Sequence, residues 1–251
     1  MLVRVAMLVL TTGAAAGGLW LSRWLGPAQL WLFGAGLIGL VGIGTETFLR
    51  ESPTPEPGSH YQLFALWIAP GLLIAAGLWL GQAMPADSLP AIVVAMAVLM
   101  AVLLLALLAS FDPNHRFHRL GRFVGNLILY MVVFVLFALV YHTKERSLFT
   151  ATATGLVALL ATLEVLRFAQ ARLAAAWRLA GIAALVMAET TWALNYWPIG
   201  GLVGGAFLLL AFYVVTGLLV AVYEGGLDRR VVAEYGTVCI AGLLAISWAM
   251  A

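Results

Sequence analysis

The chain has 251 residues, of which 64% are hydrophobic and only 10% are charged, and its formal net charge is +2. A soluble domain usually carries about a quarter charged residues, so this composition excludes a soluble fold and indicates an integral membrane protein. The small net charge, with no basic stripe, excludes a nucleic-acid partner. The single cysteine, Cys239, excludes an intrachain disulfide and a zinc site built on several thiolates.

Nine apolar stretches are long enough to cross a bilayer as helices, which requires about 20 residues at roughly 1.5 Å per residue. They predict an all-α, polytopic transmembrane bundle of about nine spanning helices, which forms a single transmembrane domain over residues 1–251. In chain order the predicted spans are residues 2–22, 28–49, 61–83, 88–110, 122–142, 147–168, 176–196, 199–223 and 231–250.

The segments between these stretches contain residues that end helices. A proline-rich segment, residues 52–58, separates the second and third spans. Pro113 follows the fourth span and Pro198 the seventh, and proline cannot continue a helix. Gly225-Gly226 follows the eighth span.

The distribution of basic residues predicts the orientation of the bundle. With nine spans, ten Lys and Arg residues fall on one side and three on the other. Because cytoplasmic loops carry the excess of Lys and Arg, the N-terminus is predicted to be cytoplasmic and the C-terminus outside, in a bacterial-type plasma membrane. The majority side holds Arg4, Arg50, Arg116, Arg119, Arg122, Arg167, Arg172, Arg178, Arg229 and Arg230, and the minority side holds Arg23, Lys144 and Arg146.

Several helices contain small residues four apart, such as Gly200 with Gly204 and Gly201 with Gly205. This spacing lets helix backbones approach closely in lipid, either within one bundle or between two copies of the chain. We expect the glycines of the eighth span to pack against the second span.

Two short sequences hint at an internal duplication. Glu46 and Arg50 at the end of the second span correspond to Glu164 and Arg167 near the end of the sixth, and the two glutamates are 118 residues apart. A weak parallel repeat of residues 1–118 and 119–230, followed by a ninth helix, is the interpretation that this spacing allows.

Ionisable residues inside a membrane are costly, so each one is a candidate site. Three pairs lie three or four residues apart toward cytoplasmic helix ends, where long side chains can reach the interface as local ion pairs. These pairs are Glu46 with Arg50, Glu164 with Arg167, and Arg230 with Glu234.

Glu189 differs because it lies about two-thirds along the seventh span with no basic residue within a turn. Trp192 and Tyr196 share its helical face, and Asn195 is nearby. These four residues are the candidates for a ligand or proton site that opens to the outside. The alternative is a protonated glutamate hydrogen-bonded to a neighbouring helix.

The sequence also limits the cofactors. The one lysine, Lys144, lies at a helix end, so a covalently bound retinal has no attachment point in the last spans. No histidine pair lies at mid-membrane, so a bis-histidine haem is not expected. Asp112, His115 and His118 lie three apart, but the neighbouring arginines oppose a metal ion and favour anionic lipid headgroups. We therefore expect no metal, while a bound lipid or pigment fits the apolar chain.

Three functions remain open. The first is a non-catalytic subunit or scaffold of a larger membrane assembly, in contact with membrane lipids and with other membrane proteins or copies of itself. The second is a small carrier or proton-coupled transporter that uses Glu189, although matching helix breaks in two halves are absent from the sequence. The third, for which no catalytic motif is present, is a lipid-modifying membrane enzyme.

Overall fold

The structure, a computed structural model, describes residues 2–49, 66–111, 116–143, 147–169 and 171–250. Within these ranges the chain forms nine α-helices and no strand, which confirms the predicted all-α fold. A 3₁₀ turn, Ala86–Ser88, precedes the fourth helix. The helices are α1 (Leu2–Ser22), α2 (Pro27–Leu49), α3 (Ile68–Ala83), α4 (Leu89–Phe111), α5 (His118–Thr143), α6 (Ser147–Phe168), α7 (Leu173–Leu194), α8 (Gly201–Glu224) and α9 (Arg229–Met250).

Eight of the described helices are long and apolar enough to cross a membrane, so the chain is a multi-pass membrane protein. The exception is α3, whose 16 residues extend about 24 Å against a hydrocarbon thickness of about 30 Å. The start of the predicted third span, residues 61–65, and the proline-rich segment 52–58 lie outside the described residues. The ninth crossing and the orientation therefore stay predictions.

Two helices begin earlier than their apolar stretches. The fifth starts at His118 rather than residue 122, and the seventh at Leu173 rather than residue 176. A helix needs backbone hydrogen bonds and not apolar side chains, so the polar first turn of α5 continues that helix beyond the hydrocarbon region. The added residues of α7, Leu173 to Ala175, are apolar and extend the predicted span.

The described helices form two compact units, Met1–Val132 and Val133–Ala251, and α5 contributes residues to both. In the first unit α1 packs against α2, α3 and α4. Its core contains fully buried side chains from several helices, among them Leu19, Val41, Met100, Leu104 and Leu107. The predicted repeat of residues 1–118 and 119–230 stays a prediction.

Polar side chains join the C-terminal ends of α1 and α3 in the first unit. Arg23 donates from Nη1 to the carbonyl oxygen of Gly81 at 3.2 Å. In the other direction, Gln82 donates from Nε2 to the carbonyl oxygen of Ser22 at 3.0 Å. Both bonds satisfy carbonyl groups near helix C-termini, which have no partner within their own helix.

In the second unit the glycines of α8 pack against α5. A Cβ atom at Gly204 would overlap the Tyr141 ring, and one at Gly205 would lie 2.7 Å from the Cα of Ala138. Phe137 and Phe212 stack edge to face between the same helices, with ring centroids 5.9 Å apart. Close backbone approach through small residues is thus observed, but Tyr141 is the partner of Gly204, which corrects the expected pairing with the second span.

The last helix, α9, packs on α8 through a similar arrangement. Gly217 accommodates the Tyr235 ring, and Gly242 accommodates the side chain of Leu210. Between the two helices Gly225 has a φ of 125°, a conformation that favours glycine and ends α8.

Candidate functional site

The most buried charges among the described residues are on α6. Arg167 donates from Nε to Oε2 of Glu164 at 3.0 Å and from Nη2 to Oε1 at 2.6 Å. The side chains of Arg167 and Glu164 are 7% and 0% exposed. The two residues lie three apart on one helix, so α6 alone brings them together.

The sequence predicts that this pair reaches the interface, whereas the structure buries it. The guanidinium also lies 4.3 Å from the centroid of the Phe168 ring. In this bidentate ion pair each charge is compensated by the other. Buried charges require such compensation because little water is available to solvate them. The arrangement is therefore closed and stabilises α6 rather than presenting a reactive group.

Small side chains explain how α6 is covered. It packs against α7, and the facing side chains of Ala158, Ala161, Ala180 and Ala183 are fully buried. A Cβ atom at Gly155 would lie only 3.2 Å from the carbonyl oxygen of Ala184. The two backbones therefore approach closely along this seam.

The other two predicted ion pairs are placed differently. Glu46 is half-buried, and Arg50 lies outside the described residues. Arg230 and Glu234 are both exposed, and the described part of the chain holds no ion pair between them.

The structure places three of the four residues of the predicted ligand or proton site on the surface and the fourth between two helices. Glu189 is exposed, Trp192 is 50% exposed and Tyr196 is 77% exposed. Asn195 is half-buried and donates from Nδ2 to the hydroxyl of Thr150 on α6 at 2.7 Å. Glu189 and Trp192 therefore lie on the surface of α7 and Tyr196 on the surface just beyond its end, while Asn195 joins the end of α7 to α6.

Sequence reasoning missed Tyr141, which is 1% exposed. Its hydroxyl donates to the carbonyl oxygen of Leu194 at 2.8 Å and lies 3.3 Å from that of Trp197. The Leu194 carbonyl belongs to the last turn of α7, where carbonyl groups lack partners within the helix, and Trp197 lies in the segment that follows. The signal in the sequence is weak, because a tyrosine near a helix end normally indicates the membrane interface.

Two buried threonines on α6 are further polar groups that the sequence did not single out. The hydroxyls of Thr154 and Thr162 have no hydrogen-bond partner among the described residues. Threonines on membrane helices usually donate to the carbonyl four residues earlier, as Thr191 does on α7 at 2.8 Å.

The first unit has a shallow groove of about 350 Å³ between α1 and α4. Leu8, Thr12 and Gly13 line it from α1, and Ala97 and Ala101 line it from α4. The lining is almost entirely apolar, so the groove suits hydrocarbon rather than a polar ligand.

The histidine-containing loop can be described only in part. Asp112 and His115 lie outside the described residues, and His118 is half-buried at the start of α5. In the ranges that the structure covers, no three His, Cys, Asp or Glu side chains come together as metal ligands would.

No curated protein and no solved structure matches the chain. One family model, described as "Protein of unknown function (DUF5656)", matches residues 10–249, which is nearly the whole sequence. The helical, membrane-spanning architecture and the closed charge pair described above are thus properties of a chain that belongs to the DUF5656 family.

Proposed function

We propose that this protein is a non-catalytic subunit or scaffold of a larger membrane assembly in a bacterial-type plasma membrane. The observation that carries the proposal is the exposure of Glu189 on a membrane-spanning helix. Apolar exposure says little in a membrane, because lipid tails cover it as well as protein does. An exposed carboxylate is different, because it needs a polar partner or water.

The depth of Glu189 in the membrane determines the free-energy cost of leaving its carboxylate without a polar partner. It lies five residues before the end of α7 at Leu194, which corresponds to about 7 Å along the helix axis. An acidic residue at the centre of a membrane helix costs about 3 kcal/mol on insertion scales, and less toward the ends. A neighbouring subunit that supplies a polar partner would recover this cost.

The groove between α1 and α4 supports a role in holding lipid. Its apolar lining and volume of about 350 Å³ match a stretch of acyl chain rather than a headgroup. A pigment with an apolar tail is the alternative occupant. Native mass spectrometry of the purified protein together with its absorption spectrum would separate the two, because a pigment also absorbs visible light.

Purification of the full chain in a mild detergent, followed by native mass spectrometry, tests the assembly. We expect a complex in which other membrane proteins accompany this chain in fixed stoichiometry. A monomer that retains proton-coupled uptake in liposomes, abolished by Glu189→Gln, would favour the carrier function instead. A monomer with neither partner nor transport would contradict both functions.

A further inference from the structure

Six exposed residues lie on one line along α7 and the turn that follows its end at Leu194, spaced alternately four and three residues apart. The spacing is that of helix pairs that cross at a small angle, in which such a line forms the contact seam. Apolar and aromatic residues predominate, with one basic residue near the start and one acidic residue near the end. We call this line the α7 stripe, and it consists of Arg178, Ile182, Leu185, Glu189, Trp192 and Tyr196.

The two charges of the α7 stripe lie equally far from the helix ends but differ in their surroundings. Arg178 is five residues after the start of α7, and its Nε donates to the carbonyl oxygen of Ala174 at 3.2 Å, one turn toward that end. Side chains on a helix tilt toward its N-terminus, which carries Arg178 toward the near interface. The same tilt directs a side chain at position 189 toward the middle of the membrane.

Among the described residues Glu189 has no partner that compensates the charge of its carboxylate. Within the described residues it makes neither a hydrogen bond nor an ion pair. A glutamate is also shorter than an arginine and has less reach toward the interface. The stripe therefore presents an acidic group, flanked by Leu185 and Trp192, to whatever covers it.

A second copy of this chain does not fit the α7 stripe. Copies inserted in one orientation would pair about a two-fold axis, which places Glu189 against Glu189. Arg178 could not compensate, because it is eleven residues away, about 16 Å along the axis. Two like charges in close contact repel, so the complementary surface carries the opposite charge.

We propose that the α7 stripe docks a transmembrane helix of a different protein, which carries a lysine or arginine at the depth of Glu189. This inference rests on the proposed function, since it names the chemistry of the neighbouring subunit. Ile182 and Leu185 pack against apolar residues of that helix. Trp192 and Tyr196 shield the charge pair from water at the outer end of α7.

Site-specific photo-crosslinking in cells tests the docking. A photoreactive amino acid at Leu185, one turn from Glu189, is expected to attach to one helix of another membrane protein, within a turn of a lysine or arginine. Glu189→Lys is expected to reduce this product about 30-fold or more, as loss of one member of a buried charge pair does. Replacing the identified basic residue by glutamate is expected to restore it.

Two matched controls accompany the experiment. Glu234 is exposed and lies five residues inside its own helix from Arg229, so Glu234→Lys changes the charge at a comparable distance from a helix end. It is expected to leave the Leu185 product unchanged. The same probe at Ile240 of α9, which is 63% exposed, is expected to give no product with the helix captured from Leu185.

The outcomes separate this inference from the proposed function. A complex that persists on native gels while Leu185 labels only lipid would overturn the docking and leave the subunit role intact. Products confined to this chain, either within one molecule or between two copies, would also overturn it. A monomer in native mass spectrometry, with no product at Leu185, would contradict the proposed function itself.

Discussion

The hydroxyl of Tyr141 donates a 2.8 Å hydrogen bond to the carbonyl oxygen of Leu194, and so joins α5 to the end of α7. The tyrosine is among the largest fully buried side chains of the described residues. Its ring also fills the space opposite Gly204 of α8. One side chain therefore fixes three helices of the second unit at the same level.

Removal of the Tyr141 hydroxyl is expected to destabilise the protein without unfolding it. Tyr141→Phe leaves the carbonyl oxygen of Leu194 without this donor, which costs about 1 kcal/mol. The loss should appear as a lower melting temperature in detergent. Tyr196→Phe is the control, because Tyr196 is 77% exposed and its hydroxyl has no hydrogen bond among the described residues. Equal melting of both variants would show that the bond contributes nothing.

Substitution of Gly204 is expected to be more damaging. In Gly204→Ala the new methyl group overlaps the Tyr141 ring, and overpacking of this kind costs about 1–3 kcal/mol. At Gly36 of α2, a Cβ atom would meet nothing within 4 Å. Gly36→Ala should therefore melt at or above the temperature of the wild type. If Gly204→Ala behaves like Gly36→Ala, the close approach of α8 to α5 does not exist.

Replacements of Glu164 and Arg167, the buried ion pair on α6, are expected to have non-additive effects on the free energy of unfolding. Arg167→Leu leaves the Glu164 carboxylate buried without compensation, which costs about 3–5 kcal/mol. The double replacement of both residues by leucine removes both charges and should recover much of that loss. A double-mutant cycle based on unfolding in mixed detergent micelles measures the coupling. Arg230→Leu, at an exposed position, should have little effect. Additive losses would mean that the charges act independently.

Reporter fusions test the predicted orientation and the crossing of α3 separately. A reporter at the N-terminus and one inserted at residue 116 should both be cytoplasmic, because four spans separate them. A reporter after residue 251 should be outside, because five further spans follow. If α3 does not cross the membrane, the first two reporters will report opposite compartments. If they agree and the third also agrees with them, the span count after residue 116 is wrong.

The helices could be predicted from the sequence because a membrane imposes a length and a composition on each segment that crosses it. The polar start of α5 was not predicted, since hydropathy does not detect a helix that continues into headgroups. The ends of α4 and α7 could be predicted from the presence of Pro113 and Pro198 in the sequence, because proline lacks a backbone donor.

The candidate site was less predictable, because burial depends on which face of a helix its neighbours cover. Glu164 lies four residues from the end of its helix, and Glu189 five residues from the end of its own. Sequence position therefore suggests similar exposure for both. The structure buries Glu164 completely and exposes Glu189. Nothing local in the sequence distinguishes them, apart from the arginine three residues after Glu164.

That arginine has a consequence for biogenesis. Because Glu164 and Arg167 belong to the same turn of helix, their charges can neutralise each other as soon as α6 forms, before any other helix is present. A nascent segment would thus enter the bilayer carrying a compensated pair instead of two separate charges. Glu189 has no basic residue within a turn, so a nascent α7 would enter the bilayer with an uncompensated carboxylate. Insertion of α7 is therefore expected to depend more on the surrounding membrane proteins than insertion of α6 does.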